Sequence, residues 1–156
     1  MSIQIGQQAP GFTLYDSAKN KVSLDNFKGK KVVLLFFPLA FTSTCTRELC
    51  DIRDNIGQYN NLDAVVLAIS VDSLYTLAKY KEEQRLNFTL LSDFNKEISR
   101  AYDSVYELFG YNMKGVSKRS AFVIDREGRI QYAEVLENAG DVPDFNAVRA
   151  TLSSID

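Results

Sequence analysis

Both cysteines of this 156-residue chain lie in one stretch, FFPLAFTSTCTRELC, at Cys45 and Cys50, and the chain has no histidine. A thiol can serve as a metal ligand, a disulfide partner or a nucleophile. Two thiols fall short of the four ligands that a structural zinc site usually takes. Their separation is too wide for the Cys-x-x-Cys spacing of dithiol redox motifs. Cysteine–histidine proteases and acyltransferases are excluded for want of the imidazole base. Two readings remain open for Cys45: a thiolate nucleophile activated without histidine, or a small buried side chain with no chemistry.

Residues 44–59 carry Cys45, Leu49, Ile52, Ile56 and Tyr59 at steps of four, three, four and three, which predicts a helix. Cys45 then falls in its first turn, where unpaired amides and the helix dipole favour an anion. The thiolate is the reactive form. A free thiol, with a pKa of about 8.5, is roughly a tenth or less ionised near neutral pH. Complete ionisation therefore gains only about one order of magnitude. Further acceleration requires donors aimed at the charge developing on a substrate. Thr42, Ser43 and Thr44 supply hydroxyls, one of which is expected to cap the helix. The cation beside the thiolate must be Lys or Arg, and the planar guanidinium suits two acceptors at once. Arg47, Arg53 and Arg119 are candidates that spacing does not separate.

These groups need a scaffold. FTLYD and KVSL, flanking the turn-like SAKN, read as an N-terminal β-hairpin. VVLLFF is continuous and apolar, as for a strand buried on both faces, and AVVLAISV is a second. Asp72 and Ser73 are cap candidates for a helix running to about residue 85. FTLLSD reads as a third strand and residues 95–103 as a short helix. SAFVID and RIQYAEV form a hairpin turning at Gly128, and Pro143 precedes a last helix with Phe145, Val148, Leu152 and Ile155 on one face. The order is that of an α/β thioredoxin-like fold with an N-terminal hairpin and an inserted strand and helix.

Length and 46% hydrophobic content fit one domain over residues 1–156. A formal charge of −2 gives no reason to expect a nucleic-acid partner. Lys28, Lys30 and Lys31 form the one basic cluster, expected as a solvated strand entry. The N-terminal MSIQIGQQAPGF has no signal-peptide pattern, and the longest apolar run is too short to span a bilayer. A cytoplasmic protein is expected, where two cysteines are free, catalytic or redox-sensing rather than a permanent bridge.

PLAFTSTC, with Pro38, Thr42 and Cys45, resembles the active-site signature of the peroxiredoxins. GQQAPGFTL, DNFKGKKVVLLFFP and KRSAFVIDREGRI extend the resemblance over nearly the whole chain. It implies a thiol-dependent peroxidase in which Cys45 attacks hydrogen peroxide, an organic hydroperoxide or peroxynitrite. Thr42 would bind the peroxide, Arg119 would orient thiolate and substrate, and Pro38 would shield the pocket. Glu48 would hold the arginine, or else is simply an acid near a helix start. The chemistry needs no metal or organic cofactor. The implied partners are thioredoxin, glutaredoxin or another thiol reductant, with a homodimer possible in the AhpE-like group.

Cys50 sits where Q-type peroxiredoxins, the bacterioferritin comigratory group, carry a resolving cysteine; PLAFTSTC reads closer to AhpE-like members, where that position varies. Five helical steps put the two Cα atoms about 8–9 Å apart, and a disulfide seldom tolerates more than about 7 Å. A bond between them therefore requires the first helical turn to unwind. A redox sensor, or a one-cysteine peroxidase with a structural Cys50, stays open.

Overall fold

The VVLLFF run becomes the centre of the molecule. In the computed structural model, which describes residues 3–156, strand β3 (Lys31–Phe36) is buried along its whole length. It pairs in parallel with β4 (Ala64–Ser70), which continues the sheet to β5 (Thr89–Ser92). The N-terminal hairpin, β1 (Thr13–Asp16) and β2 (Lys21–Ser23), adds to the β5 edge.

Three α-helices in the first half connect these strands: α1 (Ser43–Asp54), α2 (Ile56–Asn60) and α3 (Leu74–Gln84). After β5 come α4 (Glu97–Ala101) and a ribbon of β6 (Val105–Tyr106) and β7 (Val116–Ser117), which the sequence did not foreshadow. The second hairpin, β8 (Ser120–Ile124) and β9 (Ile130–Val135), places β8 antiparallel against β3. The seven-stranded order is β2-β1-β5-β4-β3-β8-β9. Helix α5 (Phe145–Ser154) closes the chain, with Asp144 accepting from the Ala147 amide as its cap.

Alternation along β3 divides the core between two faces. Val33 and Leu35 pack with Cys45, Leu49, Ile52, Tyr80 and Leu152, under α1, α3 and α5. Val32, Leu34 and Phe36 pack with Phe12, Tyr102 and Ile130 on the other side. The expected thioredoxin-like order is present, with the hairpin and the β5–α4 insertion in place.

Three expectations change. The helix predicted over 44–59 breaks at Asn55, whose side-chain amide donates to the Asp51 carbonyl at 2.8 Å and competes with the helical ladder. Lys31 is not solvated; it is 7% exposed, with Nζ donating to the Leu152 carbonyl of α5 at 2.8 Å. Of the two cap candidates for α3, Ser73 accepts from the Thr76 amide, while Asp72 turns elsewhere.

Candidate active site

Strands β3 and β4 run parallel, so their carboxyl ends release neighbouring loops, the usual place for a ligand crevice in α/β sheets. The loop after β3 carries Pro38 and leads to Thr42 at the N-cap of α1. Thr42 Oγ1 does not cap the helix; it donates to the Leu39 carbonyl at 2.7 Å, closing a turn. None of the three hydroxyls therefore performs the expected capping. Having spent its proton, the Thr42 oxygen can only accept from an incoming ligand. The first intrahelical bond runs from the Thr46 amide to the Thr42 carbonyl. The preceding amides, at 43–45, thus lack intrahelical acceptors. Between Ala40 and Thr42, Phe41 has φ +68°. A left-handed conformation costs a non-glycine residue roughly 1–2 kcal/mol.

Cys45 is fully buried in this first turn. Arg119, just ahead of β8, reaches its sulfur with Nη2 at 3.2 Å. The same guanidinium donates through Nη1 to Glu48 Oε1 at 2.6 Å and through Nε and Nη2 to the Ala139 carbonyl. Both members of the Arg119–Glu48 pair are buried. Burial acts to lower the Arg119 pKa, yet the Glu48 carboxylate and the Cys45 sulfur hold it above the usual arginine value. Burial pushes the Glu48 carboxyl up to about 7 against the opposing pull of Arg119. Glu48 Oε2 is buried with no hydrogen-bond partner among the described residues. The result is a permanent cation against sulfur, with a carboxyl behind it that keeps the guanidinium in place.

Pro38, Thr42, Cys45 and Arg119 line one cavity of about 220 Å³, together with Phe109 and Ala139. A larger cavity of about 370 Å³ beside β1 and α4 has neither thiol nor arginine on its wall, so size does not select the site.

The chain from residue 5 to 133 matches the model of the AhpC/TSA family. It is 41% identical over 133 residues to peroxiredoxin Bcp of Bacillus subtilis, covering 83% of each chain. It is 39% identical over 145 residues to alkyl hydroperoxide reductase E of Mycobacterium tuberculosis, covering 91% of each. Among solved structures, peroxidoxin BcpB from Mycobacterium tuberculosis matches with a TM-score of 0.86 at 29% identity, over 99% of each chain. The chain belongs to the AhpC/TSA family. It is a peroxiredoxin, a thiol-dependent peroxidase.

In this peroxiredoxin the second thiol stands apart. Cys50 does not line the cavity; its sulfur lies 3.5 Å from Gln84 Oε1 at the end of α3, half-buried. Both cysteines are free, and one unbroken helix contains them. Helix α3 grips α1 at three points: Tyr80 on Thr46 at 2.9 Å, Gln84 Oε1 on Cys50, and the Gln84 carbonyl on Arg53 at 2.5 Å. Arg53 is thus engaged away from the pocket. Arg47 is exposed and also absent from the pocket lining, leaving Arg119 as the guanidinium in contact with sulfur.

Residues that the sequence did not assign to the peroxiredoxin site include two on the pocket wall and one that braces its loop. Phe109 lies on the irregular segment between β6 and β7, and Ala139 contributes through its backbone carbonyl. Asp72 accepts from the Ala40 amide at 2.8 Å. Its position after an apolar strand was legible, but a cap role explained it equally well.

Proposed function

We propose that Cys45 is the peroxidatic nucleophile and that the reaction takes place within one domain spanning the chain. The observation that carries this reading is the Arg119 contact to the Cys45 sulfur at 3.2 Å, beside free helix amides and the Thr42 oxygen. The thiolate attacks the terminal oxygen of a hydroperoxide. The S–O bond forms as O–O breaks, sulfur is oxidised to sulfenic acid, and the departing oxygen leaves as nitrite or, on taking back from solvent the proton lost when the thiol ionised, as water or an alcohol. Arg119 and the amides oppose the charge spreading over the two oxygens, while Thr42 Oγ1 accepts the peroxide hydrogen. Pro38 shields the sulfur from bulk water. Hydrogen peroxide, organic hydroperoxides and peroxynitrite all present the required O–O bond, and the likeness to an alkyl hydroperoxide reductase supports the organic class.

Cys50 resolves the sulfenic acid in this scheme. Its thiol displaces water to form a Cys45–Cys50 disulfide, which thioredoxin, glutaredoxin or a similar dithiol reduces by exchange. Because α1 keeps the two apart, its first turns open in the oxidised form. The half-buried Cys50, seated against Gln84, favours a second reading in which it is structural and external thiols reduce Cys45 directly. A homodimer belongs to the same proposal, supported by the exposed Tyr75 and Phe94 rings along one shallow groove. A cytoplasmic setting also suits free thiols. No helix among the described residues is long and apolar enough to cross a membrane.

Stopped-flow tyrosine fluorescence, undisturbed because the chain has no tryptophan, tests the first step. Cys45 should react with peroxide orders of magnitude faster than a free thiol, and Cys45→Ser should abolish turnover. Mass spectrometry after one equivalent of peroxide should show loss of two hydrogens; a persistent sulfenic acid would instead assign Cys50 the structural role.

A further inference from the structure

Asp72 lies beyond the sulfur–arginine–carboxyl group, at the end of the neighbouring strand. Its Oδ2 accepts from the Ala40 amide at 2.8 Å and from Ser70 Oγ at 2.7 Å. Ser70 is buried, and its Oγ also accepts from the Asp72 amide at 3.2 Å, so the carboxylate is oriented from below. Ser92 Oγ donates to the Asp72 carbonyl at 2.6 Å, tying the same residue to β5. Asp72 is therefore held by two strands, and its free function is to hold Ala40. Ala40 immediately precedes Phe41, the residue at φ +68°, and Thr42 follows. A strained residue keeps its conformation only where its surroundings over-determine it. Here the Ala40 amide is fixed on one side and the Thr42 hydroxyl closes onto Leu39 on the other.

We propose that Asp72 is a positioning residue for peroxide reduction. Through the Ala40 amide it holds the 39–42 turn in the conformation that presents Thr42 Oγ1 to the substrate, while the amides of 43–45 belong to α1 itself. Arg119 reaches Cys45 from the β8 side and does not depend on this turn. The inference rests on the peroxidatic reading of Cys45, and it separates two properties that a general loss of structure would change together.

The test is the rate of Cys45 oxidation by hydrogen peroxide in the full chain, alongside the pH profile of Cys45 alkylation by iodoacetamide. Asp72→Ala should slow oxidation about 10- to 100-fold, the scale set by a misplacement of roughly 1 Å. The alkylation profile should not move. Asp72→Asn should restore most of the rate, because its Oδ1 can accept from both Ala40 and Ser70. Ser70→Ala should lose less than Asp72→Ala but in the same direction, and it keeps the test open if Asp72→Ala does not fold. An oxidation rate equal to wild type in Asp72→Ala overturns the proposal. So does an Asp72→Asn as slow as Asp72→Ala, or an alkylation profile that shifts with the oxidation rate. Failure of the wild-type Cys45 to outrun a free thiol would instead overturn the peroxidatic reading itself.

Discussion

The carboxyl behind Arg119 couples folding to pH. Glu48 is buried, with one oxygen on the guanidinium and the other without a partner among the described residues. The folded carboxyl keeps its proton up to about pH 7, against an ordinary value of 4.5. Folding therefore takes up a proton between those limits. The stabilisation from Glu48 is complete below about pH 4.5 and is lost as pH rises through 7, by an amount on the order of 3 kcal/mol. Glu48→Gln removes the titration while keeping an acceptor for Arg119. Urea midpoints of the two proteins from pH 4.5 to 8 should diverge, with wild type losing stability relative to the variant; parallel curves would show a carboxylate ionised throughout. Arg119→Lys keeps the charge but cannot reach sulfur, Glu48 and Ala139 together. Its peroxide oxidation should fall by about 100-fold or more in stopped-flow traces.

Helix α1 has two requirements that conflict. On the proposed scheme, peroxide reduction needs its first turn intact, and a Cys45–Cys50 bond needs that turn open. In that scheme the contacts of the neighbouring α3, Tyr80 on Thr46 and Gln84 on Cys50, oppose the opening. Tyr80 is buried, and burial pushes its phenol up to about 12, so at working pH it remains a neutral hydrogen-bonding group. Deleting that bond by Tyr80→Phe removes about 1 kcal/mol and raises the open population about fivefold. Disulfide formation, followed by acid quench and mass spectrometry, should accelerate by a similar factor. The preceding oxidation of Cys45 should keep its rate, since Tyr80 does not line the pocket. An unchanged disulfide rate would place the opening elsewhere in the helix.

At the scale of the whole molecule, α5 is tied to the strand that leads into the candidate-site loop. Lys31 opens β3 and donates to the Leu152 carbonyl near the end of α5, while the Leu152 side chain fills the core above Val33 and Leu35. Lys31→Met keeps the apolar stem and leaves that carbonyl unsatisfied. Chemical denaturation should register a loss of about 1–3 kcal/mol, with little change in peroxide rate because the bond is remote from the pocket. A large fall in rate at full stability would instead couple α5 to the site.

Residue order alone was enough for the buried strands, the helical phase of Cys45 and the set of residue types able to run histidine-free thiol chemistry. These are properties of local pattern: a short continuous apolar run fits a strand buried on both faces of a sheet, and a first-turn thiol meets free amides in any helix of that phase. Spacing left Arg47, Arg53 and Arg119 equivalent, because contact between residues 45 and 119 depends on β8 lying antiparallel to β3. Tertiary structure also decided that Lys31 is buried, whereas the end of α1 at Asn55 and the Thr42 bond to Leu39 were settled by local hydrogen bonds that periodicity does not register. It decided that Asp72 serves the neighbouring loop, because parallel β3 and β4 bring their carboxyl ends together across more than thirty residues of chain. Local signals describe what a side chain can do; only the packed sheet selects the partner with which it does it.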